Sequence, residues 1–369
     1  MSLIWVILNR IPEMGYSRVR FNNFRNIEPR EIKWSPGLNL LTGPNGSGKT
    51  NILEGINIVS GWGPLERGTR SSSLPTWNSG SSEVQLTGQL DDENGEIIKV
   101  KISSRYTVRI DERSITATEL RWKIPVLSFL PNDMSIIEGP ASFRRRLMDM
   151  VLALIVPVYA SRLNDYRRGI RQKTAILRNG GRTELIDRAL LPLASWVWKM
   201  REEALTMISE SMNDMCGLLP CPTDISLLRG GAGTLPVPEE DFRSSLRLNK
   251  SREEAMKVPM VGPHRDDILI RANGAPAALS LSRGFRRRTA IALILAAAEG
   301  VRRKLGKNPV LLLDEITAEL DSDGRNILFC ALTEKNTQVF ASTAEPFAES
   351  FPGRIYGIDS GRVETINED

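Results

Sequence analysis

Residues 35–56 read SPGLNLLTGPNGSGKTNILEGI, and the fold turns on how this stretch is understood. Leu38, Leu40 and Leu41 form a short apolar run, as a buried strand does. Gly43, Gly48, Lys49 and Thr50 then fit the phosphate-loop spacing G-x-x-x-x-G-K-[ST]. Ile52, Leu53 and Ile56 follow at helical spacing, so the pattern lies between a strand and a helix, where its physics requires it. Gly43, Gly46 and Gly48 allow a tight backbone whose N–H groups converge on phosphate oxygens. The positive end of the following helix adds to that attraction. Lys49 is expected to reach the β- and γ-phosphates of a nucleotide, and Thr50 to ligate Mg²⁺. A ligand-free glycine turn is the competing interpretation, and the flanking strand and helix weigh against it.

The rest of the composition sets bounds. A chain of 369 residues has room for about two domains with ample core. Apolar residues at 41% and charged residues at 25% are ordinary for a soluble globular protein. The net charge of +5 is compatible with a nucleic-acid partner without requiring one. Cys216, Cys221 and Cys330 are odd in number and lack metal-ligand spacing, as reduced thiols of a cytoplasmic protein would be. His264 is the only histidine, which makes catalysis by a histidine triad or a histidine-based zinc site implausible. Fully apolar runs fall far below the roughly 18 residues of a membrane span, so no membrane association is expected. Residues 1–13, MSLIWVILNRIPE, read as a loosely attached extension, with Met14 as an alternative start.

Along the chain, the segment from Tyr16 to Leu41 alternates as two antiparallel strands leading into the phosphate-loop strand. A second β stretch runs from Val84 to Ile110 around a turn at Asp92–Gly95, and Gly61 to Gly80 reads as loop. Val126 to Phe129 is a further strand, ending in a turn at Pro131–Asp133. Helical composition follows from Ser142 to Asn179, broken at Pro157, and again from Thr183 to Met215. In the latter, Leu190, Val197, Ala204 and Ile208 share an apolar stripe of the kind helices pack together. Gly217 to Pro238 is rich in Gly and Pro and ends the block. Short strands return at Pro309–Leu313 and Thr337–Ser342, with a terminal hairpin around Asp359-Ser360-Gly361. The expected organisation is an α/β ATPase lobe in two pieces, residues 14–140 and 256–369, around a helical insert at 141–255 and without a long coiled coil.

Val310 to Leu313 ends in Asp314 and Glu315, two acids at the carboxyl end of a buried strand. That position suits Mg²⁺ coordination by Asp314 and polarisation of an attacking water by Glu315. A strand followed by an acidic helix cap is the plainer alternative. Thr50 and Asp314 lie 264 positions apart, far for a phosphate-loop enzyme, and with a helical insert this points to the head of an ABC-type ATPase. Ser282-Arg283-Gly284 before a helix supplies the signature turn such a head needs, aimed at nucleotide held by a second subunit. Ala318-Glu319-Leu320-Asp321 matches the loop that crosses such a dimer.

At this point the sequence resembles the RecF family of bacterial recombination mediators. FNNFRNIE, GPNGSGKTNILEGI, FLPNDMSIIEGPASFRRRLMD, VGPHRDDI, LLLDEITAELD and QVFAST carry the resemblance from about Tyr16 to the C-terminus. The third and fourth blocks are the most particular, since generic ABC ATPases lack them. The resemblance implies that Arg25 and Asn26 lie near the nucleotide. It implies that Asn45, Gly46, Ser47, Gly48, Lys49, Thr50 and Asn51 wrap the phosphates. Asp314 and Glu315 would manage metal and water, and Ser282, Gly284 and Asp321 would act across an ATP-dependent homodimer. It further implies ATP and Mg²⁺ as cofactors, duplex DNA beside single-strand gaps as ligand, RecR and RecO as partners, and assistance to RecA loading. The chain departs from the family at Phe285 and Arg286, where two glutamines are usual, at Glu315, where Asp is frequent, and in its basic run Arg286–Arg288. These departures bear on hydrolysis rate and leave open whether the chain is a weak ATPase or a scaffold that scarcely hydrolyses.

Within the insert, Arg144, Arg145, Arg146, Arg167, Arg168, Arg171, Lys173 and Arg178 form a basic cluster. Arg167, Arg171 and Arg178 share one helical face and are candidates for salt-sensitive phosphate contacts, against the ordinary alternative of a solvated face. An ATPase subunit of a membrane transporter is the other-class reading. The lack of a histidine after Gln338–Ser342 and the size of the insert argue against it.

Overall fold

A computed structural model describes residues 15–65, 68–130, 135–215, 217–231, 235–345 and 351–366. The extension at 1–13, the turn at 131–133 and Cys216 lie outside the described residues. Contacts divide the chain into two units, Met1–Asp133 with Val301–Asp369, and Met134–Gly300.

The first unit is built on two six-stranded sheets. β1 (Tyr16–Asn22) pairs antiparallel with β2 (Arg30–Lys33), which leads into β3 (Leu38–Thr42) and the phosphate loop. Helix α1 (Lys49–Val59) follows the loop. β4 (Val84–Leu90), β5 (Ile97–Ile102), β6 (Tyr106–Ile110) and β7 (Arg113–Ser114) form an antiparallel meander beside β1. Strict alternation in β4, with Val84, Leu86, Gly88 and Leu90 inward, is what a sheet with one buried face requires. Helix α2 (Ala117–Lys123), started by a Thr116–Glu119 capping box, returns the chain to β8 (Val126–Phe129).

The later residues complete the second sheet. β12 (Val310–Leu313), helix α10 (Ser322–Glu334), β13 (Val339–Thr343), β14 (Arg354–Asp359) and β15 (Arg362–Thr365) give the order β15-β14-β3-β13-β12-β8. β3, β8, β12, β13 and β14 are mutually parallel, and β15 turns back as the expected hairpin. β8, β12 and β13 are buried at every position, which is why β12 reads as an unbroken apolar run and the other two show no polar–apolar alternation, with Ser128, Ser342 and Thr343 buried as well. Between the sheets, Trp34 packs edge-on against Phe340 and Tyr356, with ring centroids 5.1 and 4.7 Å away.

The second unit holds α3 (Ser135–Glu138), α4 (Ala141–Ile155), α5 (Tyr159–Arg178), α6 (Glu184–Met212) and α7 (Pro238–Met256). It also holds a small sheet of β9 (Thr223–Leu228), β10 (Asp267–Ala272) and β11 (Ala275–Pro276), the short helix α8 (Ala277–Ser280), and α9 (Arg283–Leu305), whose last turn is counted with the first unit. The break between α4 and α5 falls at Pro157, and the α6 stripe at Leu190, Val197, Ala204 and Ile208 is buried. Two features depart from the expected organisation. The Gly/Pro-rich stretch at 217–238 contains β9, and β9 pairs antiparallel with β10 from Leu228↔Asp267 to Thr223↔Ala272. That ladder, with Arg288 bonding the Gly217 and Leu218 carbonyls, ties residues 261–300 to the helices, so this unit extends past 255 and includes the signature turn.

Candidate functional site

Backbone geometry shapes the phosphate loop first. Gly43, Gly46 and Gly48 all have positive φ, and a Cβ on Gly43 would stand 2.1 Å from the Ile358 carbonyl oxygen of β14. Only glycine lets β3 leave the sheet this close to its neighbour. The hairpin between β14 and β15 supports the loop from behind, where the Gly361 N–H donates to the Ser47 carbonyl at 2.8 Å. Lys49 opens α1 and is buried. Its Nζ donates to the carbonyls of Gly43 at 2.8 Å and Pro44 at 3.1 Å, and lies 3.7 Å from Glu315 Oε1.

The acidic pair meets the loop as its spacing required. β13 separates β3 from β12, so Asp314 emerges one strand away from Thr50. The Thr50 hydroxyl donates to Asp314 Oδ2 at 2.8 Å, and the Ser342 hydroxyl at the end of β13 donates to Asp314 Oδ1. Asp314 is buried, and its own N–H bonds the Phe129 carbonyl. Glu315 turns out of the strand with φ +49, its N–H bonded to Ser342 Oγ at 2.9 Å. Sequence reasoning passed over Ser342, which sits in the quoted QVFAST strand and links both acids to β13.

Asn26, Asn51 and Arg25 stand at the other end of the loop. Asn26 Nδ2 donates to the carbonyls of Gly46 and Ser47 at 3.4 and 3.3 Å, while Asn51 Nδ2 donates to Asn26 Oδ1 at 2.7 Å. Arg25 is committed elsewhere. Its guanidinium grips both oxygens of buried Glu54, at 2.8 and 3.1 Å, and the Ser73 carbonyl, so it braces α1 and arrives with its charge compensated. Asn45 is exposed at the loop crest. The residues present fit a magnesium nucleotide. Ser47 Oγ is buried with no partner among the described residues, and Thr50 and Asp314 form a hydroxyl–carboxylate pair of the type that holds Mg²⁺ beside phosphate.

The trans-acting candidates lie on helix starts. Ser282 is exposed, and its Oγ accepts the Phe285 N–H at 3.3 Å, capping α9 with Gly284 in the first turn. Asp321 caps α10 by accepting the Gly324 N–H at 2.7 Å. The basic run after the signature is mostly committed within its unit. Arg286 bonds the Leu281 carbonyl and Glu138, Arg287 is buried, and Arg288 lies over the half-exposed Phe285 ring.

The basic cluster of the insert divides into two groups. Arg167, Arg171 and Arg178 are exposed on α5, with Arg167 also paired to Asp149 at 3.0 Å. Lys173 does not belong with them. It is buried between Glu253 at 2.6 Å and Asp187 at 2.8 Å, because its place on α5 faces α6 and α7. Arg144 grips Asp267, and Arg145 bonds the Asp266 carbonyl, so both are structural.

The GPHRDD block folds into a buried polar network that motif reading did not anticipate. Arg201 bonds Asp266 at 2.6 Å, Asp149 at 2.8 Å and the Pro263 carbonyl at 2.7 Å. Asp266 also accepts from Trp198 Nε1 and the Gly230 N–H, both at 2.8 Å. His264 Nδ1 meets the Tyr166 hydroxyl at 2.6 Å, and Nε2 faces the Pro259 carbonyl. Burial holds the Tyr166 hydroxyl protonated, so it donates to Nδ1 and fixes the Nε2–H tautomer. Burial also lowers the His264 pKa to about 4, with Arg265, Lys173 and Arg145 adding to the effect.

Parallel strand order and the meeting of Thr50 with Asp314 place this chain in the class of ABC-type ATPase heads. The pattern of the RecF/RecN/SMC N terminal domain matches residues 16–363. The DNA replication and repair protein RecF of Heliobacterium modesticaldum is 31% identical over 380 residues, covering 96% of this chain and 100% of that one. The chain belongs to the RecF family. A solved structure of the recombination mediator protein RecF-ATPrS in the RecFOR pathway superposes with a TM-score of 0.84 at 23% identity, covering 96% of this chain and 99% of that one. An Smc head bound to the C-winged helix domain of ScpA reaches a TM-score of 0.57 at 17% identity, covering 95% and 96%.

Proposed function

We propose that this chain is an ATP-dependent DNA-binding protein of recombinational repair. It binds duplex DNA beside single-strand gaps as an ATP-joined homodimer and helps RecA onto single strands, with RecR and RecO as protein partners. The observation that carries the nucleotide half is the 2.8 Å bond from Thr50 to Asp314, with Lys49 held 3.7 Å from Glu315. The DNA half rests on family membership, on relatives named for DNA replication and repair, and on the exposed Arg167, Arg171 and Arg178. Among the described residues no helix is long and apolar enough to cross a membrane.

The roles follow from position. The loop N–H groups and buried Lys49 bind the β- and γ-phosphates, with Asn45, Gly46, Ser47, Gly48 and Asn51 completing the cradle. Thr50 and Asp314 hold Mg²⁺, which supplies neutralisation of phosphate charge. Glu315 accepts the proton of the attacking water. Ser282, Gly284 and Asp321 of a second copy close over the nucleotide, the first two through a helix N-terminus. Phe285 and the internally bound Arg286 favour slow turnover, because neither offers an amide next to that helix end.

Equilibrium binding of ATP and of gapped duplex to wild type, Lys49→Ala and Glu315→Gln tests this reading. Lys49→Ala is expected to lose nucleotide. Glu315→Gln is expected to keep ATP, lose turnover and hold gapped DNA as a dimer. Wild type that binds gapped DNA equally with and without ATP, and stays monomeric in both, would refute it. Turnover unchanged in Glu315→Gln would instead support the scaffold that scarcely hydrolyses.

A further inference from the structure

We propose that Trp77 is the base-stacking residue of the nucleotide site, an assignment that rests on the ATP reading above. Trp77 is 91% exposed, whereas Trp34 and Trp198 are buried. A single exposed aromatic side chain is ordinary by itself, and what marks this one is its place in a cavity shared with Asn26 and Asn51.

The ring stands in the wall of a cavity of about 830 Å³ within the first unit. At one side the cavity is lined by Asn26 and Asn51, the two amides bonded to each other at the end of the phosphate loop. The remainder is the loop from Ser72 to Ser82. Among the described residues Arg25 is the only charged one in the lining, and Glu54 already compensates it. A neutral wall of hydroxyls and amides around one indole does not suit a further phosphate. It suits a nucleoside, which offers a flat π-face and neutral donors and acceptors. The Thr76 hydroxyl oxygen, next to Trp77, is shielded from solvent and has no partner among the described residues.

The wall is built. Asn23 Nδ2 bonds the Ser81 and Glu83 carbonyls at 3.0 and 2.7 Å, and its Oδ1 accepts the Thr76 N–H at 3.2 Å. The Arg25 N–H bonds the Leu74 carbonyl at 2.7 Å, and the Leu74 side chain is buried. The loop carrying Trp77 is therefore anchored on both sides of the indole to the turn that also supplies Asn26. A nucleotide with its phosphates on the loop and its base on Trp77 would span from Lys49 past Asn51.

The test is calorimetric binding of ATP and of inorganic tripolyphosphate, each with Mg²⁺, to wild type, Trp77→Ala, Trp77→Phe and Lys49→Ala. Trp77→Ala is expected to weaken ATP about 5- to 100-fold, the range for losing one base–aromatic stack, and to leave tripolyphosphate within about twofold. Trp77→Phe should keep most of the ATP affinity. In addition, the fluorescence that wild type shows beyond Trp77→Phe should be quenched by ATP and not by tripolyphosphate. Unchanged ATP affinity in Trp77→Ala, or equal loss of both ligands, overturns the assignment. So does loss of single-stranded oligonucleotide binding with ATP retained, which would give the indole to DNA. If Lys49→Ala also binds ATP normally, the nucleotide reading itself falls; if only the Trp77 variants bind normally, the stacking role alone does.

Discussion

His264 shows how one side chain reports on its surroundings. As the only histidine it invites a functional reading, yet it is held between the Tyr166 hydroxyl and the Pro259 carbonyl in the second unit. With a folded pKa of about 4 against 6.5 when free, the unfolded chain binds the extra proton more readily than the native one. The contribution of the neutral ring to stability is therefore full above pH 6.5 and is lost as pH falls from 6.5 toward 4, about 3 kcal/mol in all. The urea midpoint is expected to drop across that window, and His264→Gln should flatten the part of the drop that belongs to this group. Parallel midpoint curves for the two proteins would show that other groups carry the pH dependence. Trp77 is the opposite case, an aromatic residue that the fold leaves in the open instead of burying.

At the scale of elements, α1 does two jobs through opposite features. Its N-terminus carries Lys49 and Thr50 out of the glycine loop, and its body lies close enough to β1 that only glycine fits at position 55. A Cβ there would stand 2.4 Å from the Phe21 ring and 3.2 Å from Phe24. Gly55→Ala is expected to lower stability by about 1 to 3 kcal/mol, read as a fall in Tm, because the rings have packed neighbours and little room to move. Gly37→Ala is the control: nothing lies within 4 Å of its added Cβ, so Tm should hold or rise slightly. The sequence made α1 legible, since apolar residues at helical spacing follow the loop. It did not show the contact at Gly55, which depends on where β1 lies.

At the scale of the molecule, each unit has its own organising centre. In the first it is the buried layer between two sheets, with Trp34, Phe340 and Tyr356 at its heart. In the second it is polar. Arg201 of α6 joins Asp149 of α4 to Asp266, just before β10, and Asp266 also anchors Trp198 and the backbone of Gly230. Arg201→Met would leave buried Asp266 without its cation, while half-buried Asp149 keeps Arg167 and the Tyr159 hydroxyl, so a loss of about 3 to 5 kcal/mol is expected in urea unfolding of the full chain. An unchanged midpoint would show that relaxation or water compensates the acids.

The sequence alone determined the phosphate loop, the acidic strand, the signature turn and their order, because each is a local pattern of residue types whose chemistry is set by neighbours in the chain. The short apolar segments of β8, β12 and β13 likewise marked strands, and their parallel pairing came from the fold. The tertiary structure decided everything that depends on distant partners. It placed Thr50 against Asp314 through an intervening strand, took Lys173 out of the basic face into a carboxylate pair, and turned Arg25 toward Glu54. It also carried residues 261–300 into the helical unit by pairing β9 with β10. The physical reason is common to all four: ion pairs and strand ladders join residues far apart in sequence, and composition and periodicity record which groups are available without recording which of them meet.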